Sequence, residues 1–172
     1  MREKILEWTQ EKWKAKSKWS TFHRLPSDAA ALAARLSGGS IGRALSMDVA
    51  KFLSLRNAMV GVMTSVFGSP DRAALLRTAE EMNDAKNKEN FTEMLDILQT
   101  LIHDIWRISL GAPESEIINA DILPQLAVFA GDAGQRDLGA WLNEIEDLRE
   151  GLVVNINRKI AADGLFMQMA SI

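Results

Sequence analysis

"FTEMLDILQTLIHDIWRISLG", residues 91–111, decides the fold. Phe91, Met94, Leu95, Leu98, Leu101, Ile102, Ile105 and Ile108 recur at the roughly 3.6-residue helical period. Thr92, Glu93, Asp96, Gln99, Thr100, His103, Asp104 and Arg107 fill the other side of the wheel. The apolar arc covers about half the helix, wide enough to pack against two neighbours. Asn90 is the expected N-cap, and Gly111 and Pro113 are the expected stop.

Working outward, no segment alternates as a strand does, and helical spacing dominates. Ser27 or Asp28 is expected to cap "AAALAARL", which ends at Gly38-Gly39. Ser40 is expected to cap one long helix running through "ALSMDVAKFLSLRNAMVGVMTSVF" to Gly68 and Pro70. Ser69-Pro70 then opens "DRAALLRTAEEMNDAK", with proline at the first helical position. "KNKEN" (86–90) reads as a polar turn. "APESEIINADILPQLAVFAG" reads as a broken or short helix with Pro124 in its first turns. "QRDLGAWLNEIEDLREGL" and "NINRKIAADGLFMQMA" close the chain, joined between Gly151 and Asn155. The pattern predicts an all-α protein, a bundle of about five to seven helices whose short connections make consecutive helices antiparallel. Three parts are expected: a basic, Trp-containing segment 1–26, a small helical piece 27–45, and the bundle 46–172.

Composition narrows function by exclusion. With 47% apolar and 25% charged residues the chain is of ordinary globular kind. No apolar run approaches membrane-spanning length, and the charged N-terminus is unlike a signal peptide. Cysteine is absent and His23 and His103 are the only histidines, so thiolate and histidine-rich metal sites are excluded. No cofactor is expected. The net charge of −3 is unevenly spread. Residues 1–26 carry seven Lys/Arg against three Glu, a net +4; residues 27–172 carry the other 13 against 20, a net −7.

No GxxxxGK[ST], GxSxG, HExxH or CxxC motif is present. Glu80-Glu81 and Glu144, Glu146 and Asp147 read as solvated carboxylates on polar helix faces, and His103 as an exposed helical histidine. Lys12, Trp13, Lys14, Lys16, Lys18 and Trp19 mix cations with indoles, which suits nucleic-acid contact by stacking and charge. A small α-helical carboxylate enzyme ranks last, because no convergent acid–base pair can be named. Met59, Met63, Met82, Met94, Met167 and Met169 read as core fillers.

"LSGGSIGRAL" (36–45) remains. A helix ending at glycines, with Ser40 as the next cap, leaves N–H groups free in an anion-friendly geometry, and Arg43 adds a cation. "ALAARLSGGSIGRAL" resembles the lid segment of bacterial clamp-loader AAA+ proteins of the DNA polymerase III delta-prime type. Residues 94–111 are similar to that family's amphipathic collar helix, "INADILPQL" to the stretch after it, and "NINRKIAADGLFMQMA" to its closing helix. The likeness spans about residues 27–171. It implies a stator of a bacterial, cytoplasmic clamp loader, joined through its collar to tau/gamma-type and delta-type subunits. Contact with DNA would be indirect or weak, and with membrane none. It also implies a sensor-2-like turn at Gly39, Ser40, Gly42 and Arg43. In ATP-hydrolysing relatives the sensor-2 arginine stands at the position of Gly42. Arg43 is one place later, about 100° around a helix, so nucleotide sensing is not expected. Without a Walker A loop the chain is expected not to be an enzyme. Apolar residues left exposed on helices 46–66, 91–111 and 156–170 would form the contact surface.

Overall fold

The computed structural model describes residues 27–36, 40, 42, 47–68 and 71–171. The chain divides at the Val49–Ala50 step into two units. In the first, α1 (Ser27–Leu36) buries Leu32 and Ala33 and exposes Arg35 in its last turn. Ser27 and Asp28 are already helical rather than outside the helix as a cap.

The long helix expected from Ser40 does not form as one piece. Met47 and Asp48 are non-helical, and α2 spans Val49–Phe67. The physical reason lies in Asp48, a residue type that favours the position before a helix start over the helix interior. Phe52, Leu55, Arg56, Met59, Val60, Val62, Met63, Val66 and Phe67 of α2 are buried, and Ser54, Asn57 and Gly61 look outward. The arginine in that buried set has no place in an apolar stripe and needs partners.

α3 (Arg72–Asn83) starts later than the expected Ser69-Pro70, because Asp71 is the cap: its Oδ1 accepts from the Ala74 N–H at 2.9 Å. Leu75, Ala79 and Met82 are its buried stripe. α4 (Phe91–Ser109) is the expected amphipathic helix. It is preceded by a 3₁₀ turn, Lys88–Asn90, and Asn90 occupies the cap position without a side-chain hydrogen bond. Its end is a Schellman turn: Ala112 N–H donates to Arg107 O, Gly111 N–H to Ile108 O (both 2.9 Å), and Gly111 has φ +80°.

Two 3₁₀ turns, Glu114–Glu116 and Ala120–Ile122, then lead to the expected short helix with Pro124 in its first turn, α5 (Leu123–Asp132). Another 3₁₀ turn, Ala133–Gln135, leads into α6 (Leu138–Val153), capped by Asp137. The turn between α6 and α7 (Arg158–Met169) is again of Schellman type, with Asn155 at φ 61°. Ile156 folds back over Gly151, 2.7 Å from where a Cβ would stand.

The second unit is an all-α bundle, with no strand among the described residues. α4 packs on α5 and α6, and α7 on α3 and α6. Phe67 at the end of α2 stacks on Phe129 of α5 (centroids 5.4 Å apart) and meets Trp141 of α6 edge-on at 5.7 Å. Of the six methionines that read as core, Met59, Met63, Met82, Met94 and Met169 are buried and Met167 half-buried. Among the described residues no helix is long and apolar enough to cross a membrane.

Candidate functional site

Gly39, Arg43, Lys12, Trp13, Lys14, Lys16, Lys18 and Trp19 lie outside the described residues. Ser40 is exposed and non-helical, and Gly42 is exposed and helical, with open space where a side chain would stand. Glu80, Glu81, Glu146, Asp147 and His103 are exposed, and Glu144 is half-buried. Glu146 is engaged by Gln99 and Arg149. Lys159 Nζ donates to Asp163 at 2.8 Å, which raises the lysine pKa above its ordinary value, with Glu80 of α3 adding attraction.

Asp104, expected on the polar face of α4, is wholly buried, as is Ile97. Its carboxylate accepts from the Ile118 N–H (3.0 Å), the Asn119 N–H (2.8 Å) and Asn119 Nδ2 (2.8 Å). Asn119 is itself fully buried, and its Oδ1 accepts from Arg56 Nη1 at 3.2 Å. The Arg56 guanidinium reaches Asp121 through both terminal nitrogens, at 2.8 and 2.5 Å, and lies over the Phe52 ring. Arg56 Nε is buried with no acceptor. This chain of bonds ties α2 and α4 to residues 118–121, the segment that enters α5. It orders the bundle from within, with Asp104 and Asn119 fully buried.

Arg136, in the α5–α6 connection, does a similar task at the other end. Its Nη2 donates to Val66 O (2.9 Å) and its Nη1 to Met169 O (3.3 Å), so one guanidinium closes the C-termini of α2 and α7. It also lies 5.9 Å from the Phe67 ring centre. Arg136→Ala is expected to cost about 2 kcal/mol, the order for two hydrogen bonds from a charged donor. Lysine should recover less than half, because an ammonium does not span two carbonyls as a planar fork does. Urea midpoints followed by far-ultraviolet circular dichroism of the helices measure both.

Among the described residues, two surface features stand out, a cleft of mixed polar and apolar lining and an apolar corner. One is a cleft of about 630 Å³ between the end of α4 and the α5–α6 connection, lined by Trp106, Leu110, Ala130, Ala133 and Leu138 together with Arg136 and Asp137. Ser109, Gly131, Gly134 and Gly139 complete its wall. A Cβ at Gly131 or Gly134 would meet nothing within 4 Å, whereas one at Gly139 would stand 3.9 Å from the Trp106 ring. Trp106 is 40% exposed and Leu110 76%. The other patch is the α6–α7 corner, where Val153, Val154 and Ile160 stand out. Exposed apolar residues are expected on helices 91–111 and 156–170, and Trp106, Leu110 and Ile160 are there. On α2 the expectation fails, since none of the large exposed apolar residues falls on it. Its apolar side chains are spent in the core. Val128 and the α6–α7 valines escape sequence reading, because each lies in an unbroken apolar run, Leu126–Ala130 or Leu152–Val154, where no period separates the exposed side from the buried one.

Residues 50–169 match a protein-family model described as "DNA polymerase III, delta subunit, C terminal". No curated protein and no solved structure matches the chain. The all-α bundle agrees with that match, which spans more than two thirds of the chain. The chain therefore belongs to the family of C-terminal domains of DNA polymerase III delta subunits, helical parts of the clamp-loader machinery of DNA replication.

Proposed function

We propose that this chain is a collar scaffold of a bacterial, cytoplasmic clamp loader, of the delta-prime type, which works by holding other subunits rather than by chemistry. The observation that carries the reading is a coincidence of boundaries. The family match begins at residue 50, where the second compact unit begins, and runs to within three residues of its end. The match describes delta subunits in general; the delta-prime assignment draws its support from the lid-like wording of residues 31–45. The partners are the tau/gamma-type and delta-type subunits, and contact with DNA is left mainly to them.

Size-exclusion chromatography with light scattering tests the reading. The chain mixed with those subunits should elute in one complex of higher mass. Partners that assemble while leaving the chain behind would overturn it. The chain alone should release no phosphate from ATP above background; robust hydrolysis surviving Arg43→Ala would contradict the scaffold role. A second reading, favoured by the +4 charge of residues 1–26, is direct nucleic-acid binding. Its mark would be DNA affinity that falls steeply with salt and disappears when residues 1–26 are removed.

A further inference from the structure

We infer that the buried chain Arg56–Asn119–Asp104 is a register lock: it admits one seating of the α4–α5 connection and so fixes where α5 begins. Its role is to single out one conformation rather than to add stability, and it stands whether or not the collar reading does.

Apolar contacts alone leave the seating open. Residues 117–123 read Ile-Ile-Asn-Ala-Asp-Ile-Leu. Ile117 is buried and its neighbour Ile118 half-buried, so exchanging the two replaces like with like in the core. The backbone is no better guide. Two of the three hydrogen bonds that Asp104 accepts come from main-chain N–H groups, which every non-proline residue carries. α5 adds little of its own at this end. It has no side-chain cap, its Gln125 is exposed, and Leu126 to Ala130 is an unbroken apolar run that leaves Val128 67% exposed.

The side chains of Asn119 and Asp121 break that degeneracy. Asn119 donates through Nδ2 to Asp104 and accepts through Oδ1 from Arg56, so its amide stands between a buried anion and a buried cation. A side-chain amide holds a donor and an acceptor at once, as that place requires. Asp121 takes both terminal nitrogens of Arg56. A slip of one residue would put Ile118 or Ala120 where Asn119 stands, and neither side chain donates or accepts. Arg56 already lacks an acceptor at Nε, so the slip would strand the rest of its guanidinium as well. A buried charge left unpaired costs far more than any rearrangement of isoleucines. In the native seating, by contrast, desolvation of Arg56 and Asp104 offsets most of what their pairing contributes. The result is a wide gap between right and wrong seatings with little net gain for the right one.

The test is an amide proton–nitrogen correlation spectrum of the full chain, recorded beside urea unfolding, on a variant whose lock is apolar: Arg56→Met with Asn119→Leu. Asp104 keeps both main-chain donors in this variant, and Asp121, part-exposed, is rehydrated. Its urea midpoint should lie above that of Arg56→Met alone, which leaves the Asn119 carbonyl buried without a donor. Amides of residues 117–132 should split into two sets, the minor one at least about a tenth of the major, while those of α3 and α7 stay single. Asn119→Ala with Ala120→Asn keeps the composition and moves the amide one residue on, and it should split the same signals. Ile117→Val trims the apolar anchor of the same segment; it should lower the midpoint and keep one set, which separates lost stability from lost register. A single wild-type-like set in both double variants would overturn the lock. So would an apolar variant that no longer folds, because the network would then be a source of stability rather than of uniqueness.

Discussion

Asp104→Ala should lower stability by about 3–5 kcal/mol, although alanine is the better helix former and the position reads as surface. The carboxylate is wholly buried and accepts three hydrogen bonds. Its loss strands two backbone N–H groups and the Asn119 amide in a site sheltered from water. Each unsatisfied group costs about 1–3 kcal/mol, and bonds to a charged acceptor are worth more than neutral ones. Relaxation of residues 118–119 toward solvent would recover part, which sets the total below the simple sum. Asp104→Asn keeps one oxygen but turns a second acceptor into a donor facing donors, so it should also be costly. If Asp104 were a surface residue, either change would fall within about 0.5 kcal/mol. Urea unfolding separates the two cases: the midpoint should drop while the slope stays constant. An unchanged midpoint would remove the buried network from the account of this fold.

That disagreement between position and role shows where sequence reading succeeds and where it stops. The α4 pattern places seven of its eight apolar residues correctly in the core, with Ile108 left half-buried. It works because burial along a helix follows angle, and angle follows residue number. Asp104 falls outside because its partners, Ile118 and Asn119, come from a loop folded back beside it. No period on one helix encodes a loop's position. The α6–α7 junction is legible within a few residues because Gly151 and Asn155 are recognisable turn chemistry. The starts of α2 and α3 read too early because each has an aspartate, Asp48 or Asp71, directly before the helix. Those compete with the serines at positions 40 and 69, and propensity alone does not rank them. The cleft is half legible. Its glycines are visible as breakers, and Trp106 and Leu110 as apolar residues of one helix. That they share a cleft with the α5–α6 glycines is a product of α5 lying against α4.

Arg56 connects this internal network to the outer surface. Arg56→Ala is expected to cost about 3 kcal/mol, the lower end for breaking a buried ion pair. Asp121 keeps 29% of its side chain exposed and can be rehydrated once the guanidinium is gone. Asn119 Oδ1 and the volume over Phe52 have no such relief. Arg56→Lys should rescue little, since one ammonium cannot hold both oxygens of Asp121 and the Asn119 amide at once. Because Asn119 is shared by Arg56 and Asp104, the two alanine substitutions should not add. The double variant should fall about 1–2 kcal/mol short of the sum. Additive losses would mean that Asn119 transmits nothing between them. A local consequence follows from the order of the chain. Residues 118–121 lead directly into α5. Releasing that segment loosens the start of α5, so its first amides should exchange hydrogen faster in Arg56→Ala even under conditions where the bundle stays folded. The conservative change Asp121→Asn, which keeps one acceptor for Arg56, should spare most of that protection. Unchanged exchange at the start of α5 in Arg56→Ala would mean that the network does not hold this segment.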